Sequence, residues 1–255
     1  MAWTRLYEDA EPQRVNRWLA QNGVCSRREA EALISQGLVS IDGLRVDDVG
    51  RKIAPGQTLV LSDRAQAQLE GALTVMIHKP IGIVSAQPDT GQVPAVRLLT
   101  REALQGQSLV IPGFDNRLAP VGRLDMDSRG LLILSEDGVV AKAVIGPASE
   151  LEKEYMVWVD GWITDDKLAL LRHGLELDER ALRPARVELV GRQQLKFILT
   201  EGRNRQIRRM CELVELVVVD LLRVRIGDLL LGDLPEGRWR PLSAAERTSL
   251  IASGR

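Results

Sequence analysis

Three short stretches of this chain place charged and aromatic side chains where they could act together. Gly122-Arg123-Leu124-Asp125 lies just before the apolar run LLILSEDG. Its glycine permits a tight approach of the chain, and a bend can point Arg123 and Asp125, two residues apart, into one cleft. The alternative is an exposed Arg–Asp pair beside a turn, worth about 0–1 kcal/mol. The second stretch, Gly202 to Met210, packs four arginines (Arg203, Arg205, Arg208 and Arg209) into seven residues at the start of a helix. The helix dipole opposes cations there, so phosphates or a buried carboxylate must supply the compensation. Ile207 and Met210, three apart, indicate that one side of this helix is buried. The third, Lys153-Glu154-Tyr155, sets one of only two tyrosines among charges at the opening of a strand; a partly buried strand tyrosine is the plainer reading. His78, before Lys79-Pro80, reads as a strand-end residue rather than a base.

Composition bounds what these groups can serve. The chain has 255 residues, 45% apolar and 27% charged, in the range of one or two globular domains. Thirty-four basic residues against 35 acidic ones leave a net charge of −1, which excludes a general polycation but not local basic patches. No stretch approaches the roughly 18 apolar residues that would span a bilayer. The first residues, MAWTRLYEDAEPQR, lack the hydrophobic region of a signal peptide, so a cytoplasmic protein is expected. Two distant cysteines and two histidines suggest neither a disulfide framework nor a metal centre. No metal, no cofactor and no membrane partner are expected, and the chain is expected to be a monomer.

The elements that would position these groups fall into two domains, 14–61 and 72–255, with 62–71 as a linker. After a polar tail, residues 14–22 form a short amphipathic helix carrying Val15, Trp18 and Leu19 on one face, stopped by Gly23. Ser26-Arg27-Arg28-Glu29 is a capping box that opens a second helix ending at Gly37. Asp42-Gly43 marks a hairpin, and TLVLS is a strand. In the larger domain TVMIHKP is a strand that GIVSA resumes, and GLLILSEDG, EKEYMVWVDG, ARVELVG, LKFILTEG and VVVDLLRVRI are further strands. Helices are expected at VVAKAVIG, at 163–174 with Thr164 as cap, after a capping Asn204, and behind the capping box at Ser243. Hairpins mixed with helices predict an α+β protein with a mainly antiparallel sheet and flanking helices.

The order of these parts carries a resemblance. Gly23, Ser26, Arg27, Gly37, Asp42 and Gly43 follow the pattern of the αL RNA-binding motif, so residues 14–61 resemble a small RNA clamp with Arg27 and Arg28 on the RNA face. Residues 1–70 hold nine Lys/Arg against ten Asp/Glu, so weak, salt-sensitive binding is expected. Behind it, His78 to Gly82 (HKPIG), Gly122 to Asp125, Lys153 to Tyr155 and Gly202 to Met210 resemble, in order, the motifs of RsuA/RluF-type pseudouridine synthases. The likeness spans roughly residues 14–245 and is greatest to the RluF branch, which modifies large-subunit ribosomal RNA.

That resemblance implies a cofactor-free isomerisation of uridine in an RNA stem-loop. Asp125 would be the essential carboxylate, attacking the sugar or removing its 2′ proton. Burial alone would neutralise it, and the resemblance assigns Arg208 to keep it charged. Tyr155 would stack on the everted uracil, Ile207 would pack against the site, and Arg123 would hold the extruded nucleotide. Arg203 and Arg205 are further candidates for substrate contact. A non-catalytic RNA-binding ribosome assembly factor is the alternative, though binding alone needs no carboxylate among arginines. A phosphohydrolase would need a metal or a carboxylate cluster. Two departures stand out: CELVELVVVD carries charge where relatives have a small or aromatic loop, and the long basic tail of some relatives is missing.

Overall fold

The computed structural model describes residues 3–108, 110–113 and 116–254. Two compact units are present. One holds the chain up to Leu73 together with Ser135–Lys142; the other holds Thr74–Leu134 and the chain from Ala143 onward.

In the small unit, β1 (Trp3–Leu6), α1 (Val15–Gln21), α2 (Arg27–Ser35), β2 (Val39–Ile41), β3 (Leu44–Arg45), β4 (Thr58–Leu61) and α3 (Asp63–Glu70) follow in order. The sheet order is β1–β4–β2–β3. The capping box forms: Glu29 N donates to Ser26 Oγ (3.2 Å) and Ser26 N donates to the Glu29 carboxylate (2.6 Å). Val15, Trp18 and Leu19 from α1 meet Ala30, Leu33 and Ile34 from α2 in the core. Asp42 and Gly43, both with positive φ (49° and 81°), make the tight turn between β2 and β3.

Two segments here differ from expectation. The polar tail supplies β1, whose Trp3 packs against the core beside Trp18. Residues 63–70, within the stretch read as a linker, are helical: Ala65 N donates to the capping Ser62 Oγ, and Ala65 is buried in the small unit's core. Alanines and glutamines carry too little contrast in hydrophobicity for that face to register in the sequence.

The large unit is built on one sheet. Its strands are β5 (Thr74–Lys79), β6 (Ala119–Val121), β7 (Arg129–Ser135), β8 (Lys153–Asp160), β9 (Arg186–Gly191), β10 (Gln194–Leu199), β11 (Val217–Ile226), β12 (Leu229–Leu230) and β13 (Trp239–Pro241). They run in the order β9–β10–β8–β11–β7–β5–β13, with β6 beside β7 and β12 beside β11. Pairing is antiparallel at β9–β10, β10–β8, β8–β11, β11–β12 and β13–β5, and parallel at β7–β11. The architecture is thus α+β with an antiparallel-rich sheet.

The helices α4 (Gly138–Ile145), α5 (Asp165–Arg172), α6 (Gln206–Leu213) and α7 (Ala244–Ser253) complete the chain. Leu168 and Leu171 of α5 and Ile207, Met210 and Cys211 of α6 bury their side chains against Val157, Leu195, Phe197 and Leu221 of the sheet. Each such burial contributes roughly 1.5–3 kcal/mol. GIVSA does not resume β5. Ile83–Val84 instead pairs in parallel with Val93–Pro94 in a separate two-stranded ribbon, because Pro80 and Gly82 (φ 85°) turn the chain away.

Candidate active site

Sheet register decides what meets at the centre of the large unit. Tyr155 on β8 lies opposite Arg223 on β11, across a bulge between Glu154 and Tyr155. Gly130 on β7 lies beside Arg223 on the other edge of β11. At Gly130 φ is +113°, and a Cβ there would sit 2.4 Å from the Arg223 carbonyl oxygen. Only glycine allows these strands to close at this point.

A cavity of about 630 Å³ opens here, lined by Arg123, Asp125, Tyr155, Ile207 and Arg208 among others. The turn bearing Asp125 is pinned through its neighbour: Ser85 Oγ donates to the Leu124 carbonyl (2.6 Å) and accepts from Leu124 N (2.9 Å). Ser128 N donates to the Asp125 carbonyl (3.1 Å), which closes the turn. The Asp125 carboxylate is left half-buried, 29% exposed, and free to meet a substrate.

The charge pairing around it differs from expectation. Arg208 does not contact Asp125. Its Nη2 donates to the Asp127 carbonyl (2.7 Å) and Ser128 Oγ (3.3 Å), its Nη1 to the Val218 carbonyl (3.2 Å). Its Nε forms an ion pair with the Asp127 carboxylate at 3.3 Å without hydrogen-bond geometry. Arg205 is the arginine that reaches Asp125, at 3.9 Å, while donating two hydrogen bonds to Asp127 (3.1 and 2.9 Å). Burial acts to raise the Asp127 pKa, but Arg205 and Arg208 outweigh it and hold that carboxyl below the usual range. The reason for the shift of partner lies in α6. Arg205, not Asn204, occupies the N-cap position, in a left-handed conformation (φ 50°) that turns its side chain toward the Asp125–Asp127 turn. A non-glycine residue held there costs of order 1 kcal/mol and marks a position the surroundings enforce. Asp127 for Arg205 and Arg208, Asp178 for Arg209 (3.0 and 2.7 Å) and Glu201 for Arg203 (3.6 Å) are carboxylates that offset cations at this helix start.

The remaining candidates divide. Tyr155 is half-buried, with the Arg223 guanidinium 6.0 Å from its ring centre. Ile207 is 4% exposed and belongs to the core behind the cavity. Arg123 is exposed at the rim. Arg203 lines the cavity, yet its guanidinium donates to the carbonyls of Leu177, Arg180 and Ala181 (2.8, 3.2 and 2.7 Å). Arg27 and Arg28 are exposed in the first turn of α2, in the small unit, and do not line this cavity. His78 is buried and donates through Nδ1 to the Leu234 carbonyl (2.8 Å), as a strand-end residue would.

Three cations escaped the sequence reading as site groups. Arg223 is 2% exposed; its Nε donates to the Leu131 carbonyl (2.7 Å) and its Nη1 to the Arg123 carbonyl (3.3 Å). An arginine at an inward position of the apolar run LLRVRIG was the available signal. Lys153 lines the cavity and donates to the Leu151 carbonyl (3.0 Å); burial, then Arg223, lowers its amine to about 8. Lys79 is fully buried and donates to the carbonyls of Pro80 and Ile83 (2.8 and 2.7 Å). Burial lowers it to about 8 against the opposing pull of Asp125 and Asp127. Among the described residues no group of three His, Cys, Asp or Glu side chains could hold a metal ion, and no helix is long and apolar enough to cross a membrane.

Residues 73–213 match the RNA pseudouridylate synthase family, and residues 13–59 match the S4 domain. The chain belongs to the RNA pseudouridylate synthase family. It is 31% identical to the dual-specificity RNA pseudouridine synthase RluF of Salmonella typhi, over 93% of this chain and 78% of that protein. It is 32% identical to the ribosomal large subunit pseudouridine synthase B of Bacillus subtilis, over 94% of this chain and 96% of that one. A solved pseudouridylate synthase structure superposes with a TM-score of 0.65 at 26% identity, covering 93% of this chain and 99% of that one. The synthase match contains all four motif stretches, Asp125 among them; the S4 match contains Arg27 and Arg28.

Proposed function

We propose that this pseudouridine synthase isomerises a uridine in a stem-loop of large-subunit ribosomal RNA, acting as a cytoplasmic monomer, with Asp125 as the catalytic group. The observation that carries the reading is the half-buried Asp125 carboxylate, held on a pinned turn in one cavity with Tyr155 and the start of α6. Arg205 stands 3.9 Å from this carboxylate, whose charge opposes the lowering of the Lys79 amine by burial. Arg208 acts through the turn: by gripping the Asp127 and Ser128 groups it fixes where Asp125 points.

The reaction exchanges a C1′–N1 bond for a C1′–C5 bond. The Asp125 carboxylate either bonds to C1′ or takes the C2′ proton as N1 leaves with the bonding pair. The everted base stacks on Tyr155 and turns; C5 then joins C1′ as the Asp125–C1′ bond breaks or as the proton returns to C2′, and C5 loses its hydrogen while N1 gains a proton. Ile207 packs against the base, and Arg123 at the rim holds the extruded nucleotide. Domain 14–61 serves as an RNA clamp presenting Arg27 and Arg28, and 72–255 as the catalytic domain. Eversion costs a few kcal/mol and is least costly in loops, which favours a stem-loop substrate.

The test compares wild type with Asp125→Asn on ribosomal RNA. New carbodiimide-dependent reverse-transcription stops are expected with wild type alone. The same stops with both proteins would refute Asp125, and none with either, despite RNA binding, would favour an assembly factor.

A further inference from the structure

The buried and half-buried cations lining the cavity are not equally partnered. Arg203 has Glu201 at 3.6 Å, and Arg208 has Asp127. Lys153 and Arg223 make hydrogen bonds to carbonyl oxygens only, among the described residues. The Arg223 Nη2 is buried with no partner among them. The carboxylates flanking Lys153 are taken by other groups. Glu152 pairs with Arg186 (2.6 Å) and Arg225 (3.2 Å), and Glu154 pairs with Arg225 (2.9 Å). Two cations without a counter-ion, one of them almost wholly buried, cost several kcal/mol in desolvation and mutual repulsion. Such an arrangement is stabilised when a negative charge arrives.

The reaction makes one. When the C1′–N1 bond breaks, its electron pair stays on N1, and the detached uracil is an anion with charge spread over the ring and its two carbonyl oxygens. Tyr155, the residue proposed to stack on that base, stands between the two cations: two residues from Lys153 on β8 and across the ladder from Arg223. We propose that Lys153 and Arg223 form an anion hole for the detached uracil, stabilising it between bond cleavage and rejoining at C5. This rests on the reading of Asp125 as the group acting on the sugar. The division of labour is electrostatic: Asp125 works at the ribose side, and the unpaired cations hold the charge that appears on the base.

The anion hole requires Lys153 to carry its proton, and burial has brought its amine to about 8, within experimental reach. The charged groups sharing its cavity are Arg123 and Asp125 from the turn, Arg223 from β11, Arg183, Glu201, and the three arginines around the start of α6 described above. None of the arginines titrates in the accessible range. Lys79, outside the cavity lining, is the other amine brought to about 8, so a rate that falls as pH rises through about 8 is assigned to Lys153 where Lys153→Arg abolishes the fall.

The experiment measures single-turnover pseudouridine formation from pH 6.5 to 9.5 with wild type, Lys153→Arg and Lys153→Met, alongside RNA affinity and thermal unfolding of each. Wild type is expected to lose rate above about pH 8, approaching tenfold per unit. Lys153→Arg, permanently charged, is expected to stay active and lose that descending limb. Lys153→Met is expected to be slower by about 10²–10³-fold, the cost typical of removing one preorganised donor, with RNA affinity near wild type. Three results would overturn the proposal: a full-rate Lys153→Met, a descending limb that persists in Lys153→Arg, or a folded but inactive Lys153→Arg, which would mean that the amine must lose its proton. If Lys153→Met does not fold, Lys153→Arg still decides through its pH profile. An inactive wild type, by contrast, would count against the Asp125 reading itself.

Discussion

Tyr155 illustrates how much a single position depends on its neighbours. On β8 it is registered with Phe197 across one ladder and Arg223 across the other, and its half-buried side chain packs against the core. Packing fixes the ring's plane before any base arrives, so the stacking contact requires little further ordering. Tyr155→Ala is expected to reduce turnover by the equivalent of about 1–3 kcal/mol, the usual worth of a base–aromatic stack, with a much smaller loss of RNA affinity. Single-turnover rates and binding isotherms on the same RNA check this; equal losses in both would argue against stacking on an everted base. Asp125 and Tyr155 were legible because their motifs are local strings. The partner of Asp125 was not. Arg205 and Arg208 are three apart on one helix start, and only the left-handed N-cap decides which one faces the carboxylate. Arg223 was hidden for a related reason: its place in the site is set by strand register with Tyr155, a property of three paired strands rather than of any string.

At the scale of elements, all of the helices α1 to α7 except α3 were legible, α1 and α4 from their apolar pattern alone. Ser26 and Ser243 form the capping boxes their spacing announces, and Thr164 caps α5. Helix α3 begins with an ordinary serine cap but offers few apolar side chains to show its face. The long strands β5, β7, β8, β9, β10 and β11 were recognised individually, whereas β1, β6, β12, β13 and the strand order were not; β7 is brought beside β11 by a parallel pairing across more than ninety residues. That pairing makes Gly130 a control point. An alanine there would need its Cβ 2.4 Å from the Arg223 carbonyl and 2.6 Å from its amide nitrogen, at a φ of +113°. Gly130→Ala is expected to cost at least the 1–3 kcal/mol typical of such backbone strain, and to displace Arg223 with its strand. A lower midpoint in urea unfolding, together with reduced turnover in the surviving folded protein, is the expected pair of results. Unchanged stability would mean that β7 and β11 do not meet as closely as described.

For the whole molecule the balance of charge sets how RNA is held. With 34 basic and 35 acidic residues there is no general attraction for a polyanion, so affinity must come from a few placed cations. Many arginines of the large unit are already committed to carboxylates: Arg129 to Asp220, Arg205 to Asp127, Arg209 to Asp178, Arg225 to Glu152 and Glu154, and Arg240 to Glu246. Arg27 and Arg28 show no such commitment among the described residues; both are exposed in the first turn of α2, where backbone N–H groups also favour phosphate. If both touch phosphates, each contributes to the counter-ions released on binding. Arg27→Ala with Arg28→Ala should then weaken RNA binding and flatten the plot of log affinity against log salt by about one per arginine. Titrations of a ribosomal RNA fragment at several potassium chloride concentrations measure that slope directly. A weaker complex with an unaltered slope would assign the loss to the folding of α2, and an unaltered complex would remove both arginines from the RNA face.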